Sequence, residues 1–215
     1  MPLELHSIEL EPNHTGTITL GDKVKDYALG IEEYHLSFGG DDHHVKKVGM
    51  DINSNISGNR IYVTADAYLD DDSGNRINEG SSKIRVVCVA VTGSADYNIA
   101  LANNSDVSGK SPIQVPTSPT VLQGFASGFG LSFSGDDHHI ELLSFEANAS
   151  HATNDTATLN GKASMQDDSG HFAASSTVDA GLVAASASAD GLAADQIGSV
   201  QGGDHTIDLS GDIPS

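Results

Sequence analysis

A chain of 215 residues with a formal charge of −20 has room for one large β domain or two small ones. Its 10 basic side chains against 30 acidic ones exclude nucleic-acid phosphates and anionic membranes as partners, since both demand clustered Lys and Arg. The acidity is uneven, with 8 basic and 15 acidic side chains in residues 1–95 but 2 and 15 in residues 96–215. That balance accepts cationic partners, divalent metals among them, although a solubility charge or a salt-adapted surface is the plainer reading.

The first residues, Met1 to His6, have neither the basic region nor the apolar core of a secretory signal, and no run approaches the ~18 apolar residues of a membrane helix. The expected location is the cytoplasm, or release as part of an assembly.

Further along, Leu36-Ser37-Phe38-Gly39-Gly40-Asp41-Asp42-His43-His44-Val45 leads into Val48, Met50 and Ile52, which alternate as in a strand. Next, Ile61, Val63, Ala65, Ala67 and Leu69 alternate with Tyr62, Thr64, Asp66 and Tyr68, the pattern of a half-buried strand. Asp71-Asp72-Ser73-Gly74 follows as a turn, in which Asp and Ser bond the local backbone and Gly supplies positive φ. Ile84–Val91 is apolar on both faces and reads as a central strand carrying the lone Cys88 as a buried thiol. The Asn/Ser/Gly-rich stretch 93–111 reads as a link, and Pro112–Pro116 as a short edge strand.

The same order then returns. Leu131-Ser132-Phe133-Ser134-Gly135-Asp136-Asp137-His138-His139-Ile140 repeats the first landmark at an offset of 95 residues, and Asp167-Asp168-Ser169-Gly170 repeats the turn at an offset of 96. Between them Ala157, Leu159, Gly161, Ala163 and Met165 keep the inward parity of the first copy. Around 181–186 the central strand has a weaker, alanine-rich counterpart, and Gly202–Ile207 faintly echoes the tetrapeptide. The fold class expected is all-β, with two tandem β-sandwich units of jelly-roll or immunoglobulin-like type from an internal duplication: residues 1–95, and residues 96–215 with a C-terminal tail. One larger sandwich of two pseudo-symmetric halves is the alternative.

The Asp-Asp-His-His tetrapeptides are the sharpest chemical candidates. Strand parity places His44 with Val48 and His139 with Leu143 and Phe145, so the second histidine of each pair is expected at the core edge while His43 and His138 face away. Adjacent histidines on one strand do not chelate one ion, so a metal site would draw on Asp42 with His44 and on Asp137 with His139. The structural reading is preferred: carboxylates cap turn amides and the imidazoles close the end of the core. No nucleophile accompanies both copies, and no enzymatic activity is expected. The Asp-Asp-Ser-Gly turns lack the ordered spacing of a calcium loop. Tyr62 and Tyr68 point outward and are candidates for partner contact, or for cross-strand packing.

The second copy leans on Ala, Gly and Ser, whose burial contributes little at ~25 cal/mol per Å², and short sheets leave edges to cover. These features suggest a non-enzymatic structural or adaptor subunit of a larger assembly, such as a virus particle or phage tail component, with protein partners or copies of itself. No cofactor is required, with a divalent metal as an option. The alternative is a metal-dependent binding module such as a lectin, built on the Asp-Asp-His-His and Asp-Asp-Ser-Gly turns.

Overall fold

A computed structural model describes residues 3–39, 44–93, 99–104, 107, 112–186 and 200–201. They form an all-β structure with no α-helix. In chain order the strands are β1 (Leu3–Leu10), β2 (Thr15–Thr19), β3 (Val24–His35), β4 (Lys47–Ser57), β5 (Arg60–Asp70), β6 (Lys83–Thr92), β7 (Ile99–Asn104), β8 (Pro112–Gln114), β9 (Val121–Ser132), β10 (Ile140–His151), β11 (Thr156–Asp167), β12 (Ser175–Ala185) and β13 (Val200–Gln201). The inward positions read from alternation in β5 are all buried, and so are Ala157, Leu159, Ala163 and Met165 in β11. β6 is the middle strand of its sheet, as a run apolar on both faces requires.

Three sheets result, ordered β1-β6-β3, β13-β10-β11-β8 and β2-β5-β4-β9-β12-β7. Pairing repeats with sequence. β1-β6-β3 and β2-β5-β4 in the first copy return as β7-β12-β9 and β8-β11-β10 in the second. The segment expected to be a link therefore contains β7, the positional counterpart of β1, hydrogen-bonded to β12. It escapes a hydrophobicity reading because Ile99-Ala100-Leu101-Ala102-Asn103-Asn104 is short and ends in polar residues. The Pro-bounded segment does form an edge strand, β8, paired with β11.

The two copies do not keep their sheets apart. β4 pairs antiparallel with β9 from Lys47 opposite Ser132 to Asp51 opposite Gly128, so one six-stranded sheet runs through both. At a second seam, side chains stand in for a ladder between β3 and β7. Leu29 N–H donates to Asn103 Oδ1 (2.8 Å), Asn103 Nδ2 donates to the Tyr27 carbonyl (3.1 Å), and Leu101 N–H donates to Asp26 Oδ2 (3.3 Å). Burial raises the Asp26 carboxyl above its ordinary range despite these amide donors.

Apolar packing follows the same seams. Most of the buried side chains form one cluster running through both copies, in which Phe129 of β9 stacks on Phe145 of β10 (4.4 Å) and Tyr34 of β3 leans on both. A second cluster, Ala28, Val91, Leu101 and Val183 with Phe125 packed against it, lies between the copies. Glycine makes room there: a Cβ at Gly30 would lie 2.5 Å from Phe125 Cδ2, and one at Gly181 would lie 2.2 Å from Cε2. Within the main core Cys88 is inert, its thiol pushed up to about 12 by burial, with the Glu4 charge adding to the effect.

This wedge gives a direct test of the seam. Gly30→Ala should destabilise the fold by about 1–3 kcal/mol through overpacking. Combining it with Phe125→Leu should cost less than the two single changes added together, as a double-mutant cycle in denaturant would measure.

Candidate functional site

The connections β3–β4, β5–β6, β9–β10 and β11–β12 lie at one end of the molecule, and the repeated landmarks meet there. Val45 N–H donates to the His138 carbonyl (2.8 Å) and His138 N–H donates back to Val45 (3.0 Å), a bridge from the residue after the first tetrapeptide to the second tetrapeptide. Asp137 Oδ2 accepts from the Asp72 amide of the first copy's turn (3.2 Å), and Asp137 Oδ1 lies 3.7 Å from His44 Nδ1. Asp168 N–H donates to the His139 carbonyl (3.3 Å). Lys46 forms an ion pair with Asp72, and that hydrogen bond, with the charges of Asp72, Asp136 and Asp137, holds its ammonium above the ordinary value.

Of the metal ligands expected from sequence, Asp42 lies outside the described residues. His44, Asp137 and His139 do come together, with the two imidazoles 6.1 Å apart edge to face. Their orientation differs from the parity reading. His139 is exposed, His44 is 57% exposed, and it is His138 that turns to the core edge, its ring 4.2 Å from buried Phe133. The reason is local. The β10–β11 register shifts between Ile140 and Leu142, so Glu141 is an extra residue that inverts parity upstream of it. In the first copy a bend at Lys46 separates His44 from β4.

Among the described residues, one group of three His and carboxylate side chains brings a ligand atom from each within 4.8 Å of the others: His138, Asp167 and His171. Asp167 ends β11 with its side chain only 3% exposed. Its Oδ1 accepts from the amides of Ser169 (2.9 Å) and His171 (2.7 Å), and its Oδ2 from Nδ1 of His138 (2.6 Å) and Nδ1 of His171 (3.1 Å). Burial alone would raise this carboxyl. The amide of His171 and the two rings outweigh it and bring the carboxyl down to about 2. The first copy builds the same turn around buried Asp71, whose Oδ1 accepts the Asn75 amide (2.7 Å) and whose Oδ2 accepts from the Asn75 side chain. Asn75 stands where the second copy has His171. Sequence reasoning passes over His171 because it lies beyond the matching tetrapeptide, yet a histidine four residues after a turn aspartate, replacing Asn in the other copy, is the signal.

The outer face of the six-stranded sheet holds Tyr62 and Tyr68. Tyr62 is half-buried, opposite Thr17 and Asn55. Tyr68 is exposed, and its hydroxyl lies over two glycines of neighbouring strands, 2.5 Å and 2.7 Å from where Gly49 and Gly130 would carry a Cβ. Next to this row run Asp66, Asp51, Gly128 and Asp179. Gly128 leaves space for Asp179 to reach Asp51. Burial first, then the charge of Asp179 and a carboxyl–carboxyl hydrogen bond with it, raise the Asp51 carboxyl, and Asn53 only partly opposes this.

Two outcomes follow. Asp71→Ala, by leaving the Asn75 amide without its acceptor, should cost about 1–3 kcal/mol in a denaturant titration. A carboxyl raised in the folded state holds its proton where the unfolded chain has released it, so its contribution falls as pH rises from the ordinary carboxylate range through the raised value. Asp51→Asn should therefore remove that fall and give a higher Tm than the parent at neutral pH, with the two converging in acid.

Comparison with known proteins finds no matching family model, no matching curated protein and no matching solved structure.

Proposed function

We propose that this protein is a non-enzymatic structural or adaptor subunit of a larger assembly, built on two β-sandwich repeats of jelly-roll or immunoglobulin-like type. The observation that carries this reading is the use of the duplicated landmarks. Asp137, His138 and His139 bond groups of both copies of the chain at one end of the molecule, as braces between repeats do. A catalytic centre would instead need a nucleophile or base facing a cleft.

The outer face of β5-β4-β9-β12 supports an adaptor role. It is continuous across both repeats and carries Tyr68 and a row of carboxylates, a combination suited to a cationic, partly apolar partner surface. Copies of the chain can use it only when their charge is screened. A metal-dependent binding module is the second reading, favoured by the convergence of His138, Asp167 and His171.

Sedimentation velocity from low to high micromolar concentration tests the assembly reading. The expected result is a homo-oligomer that strengthens with added salt, because screening relieves repulsion between chains of charge −20. A strict monomer at every concentration and salt level would overturn it.

A further inference from the structure

We propose that the second repeat binds one zinc-class divalent cation between Nδ1 of His138, Oδ2 of Asp167 and Nδ1 of His171, and that the first repeat has no equivalent site. The argument starts from convergence. Two imidazole nitrogens from different connections point at the same carboxylate oxygen, at 2.6 Å and 3.1 Å. In the free protein each nitrogen can supply a proton to that oxygen. One cation can replace both protons, since imidazole and carboxylate together suit zinc better than magnesium or calcium. Bonds of ~2.0–2.1 Å place tetrahedral ligand atoms ~3.3 Å apart, so each nitrogen need move away from Oδ2 by less than an ångström.

The surroundings are those of a held site. Both amides on Oδ1 fix the carboxylate and aim its other oxygen at the rings, as second-layer hydrogen bonds do around metal ligands. The His138 backbone is bridged to Val45 and its ring lies on Phe133, which sets its direction. His171 is 71% exposed, leaving the outer side open for a water ligand and for entry of the ion. The chain's negative charge raises the local concentration of cations. In the first repeat Asn75 occupies the position of His171, and its amide satisfies Asp71 without offering an imidazole. The inference is independent of the assembly reading, because it concerns a single chain whatever its oligomeric state.

Zinc titrated into the chelator-treated full chain, followed by calorimetry with elemental analysis, tests it. One zinc per chain is expected. His171→Asn installs the residue the first repeat already uses in this turn, and it should weaken binding by about 10-fold or more. His151→Asn, at the far end of β10, should leave binding unchanged. A circular-dichroism melt of each variant separates loss of the site from loss of the fold. Absence of stoichiometric uptake, zinc affinity left unchanged by His171→Asn, or equal affinity for magnesium or calcium would overturn the proposal.

Discussion

An open sheet edge exposes a row of unpaired N–H and C=O groups, and the first repeat meets that demand with the second. β4 has β5 on one side and nothing from its own repeat on the other, and β9 takes that place. Several other features depend on this ladder. It lines up Val48 with Leu131 and Met50 with Phe129 in the common core, and it sets Gly49 beside Gly130 so that Tyr68 can lie across both. It also brings His44 and Val45, ahead of β4, against Asp137, His138 and His139, which follow β9. A slip of one residue would turn Leu131 and Phe129 outward, which is why the ladder is backed by Phe125 wedged against Gly30 and Gly181 at the other seam.

The end of the molecule where the landmarks meet raises a second physical problem, that of buried carboxylates. Asp71 and Asp167 are both nearly inaccessible, and an ionised carboxylate in such a place needs several donors. The turn supplies them from its own backbone, which explains why Asp-Asp-Ser-Gly survives in both copies. Its first Asp accepts the amide of the residue four positions on, and Gly74 and Gly170 take positive φ to bring that amide round.

Much of this was legible from alternation alone. In β5 and β11 alternate residues are apolar and buried, and β6, apolar on both faces, lies in the middle of its sheet. The offset of 95 and 96 residues also predicted that pairing would repeat. What alternation cannot give is register between copies, because the β4–β9 ladder joins strands whose own patterns say nothing about each other. Nor can it follow parity through irregular backbone. Glu141 is one residue too many in β10, and counting past it assigned the inward role to His139 in place of His138. The ligands expected from sequence, Asp137 and His139, therefore share a tetrapeptide with the His138, Asp167 and His171 cluster, but alternation points neither to His138 nor to the turn that supplies the other two. β7 was missed for a different reason: its hydrogen bonds to β12 come from tertiary context, which overrides a weak local pattern.

A duplicated chain carries its own comparison. Groups kept in both copies under otherwise different neighbours answer a requirement of the fold, and the buried turn aspartate is the clearest of these. Groups in only one copy are released from that requirement, and His171 and the carboxylate row are of this second kind. Asp51 belongs to the first repeat and Asp179 to the second, and they meet across Gly128 only because the sheet is shared. Two carboxyls in such contact oppose the seam at neutral pH unless a proton or an outside cation lies between them. The seam has enough apolar packing and backbone pairing to tolerate that opposition. Under the adaptor role proposed above, a cationic partner laid over this row would relieve that opposition.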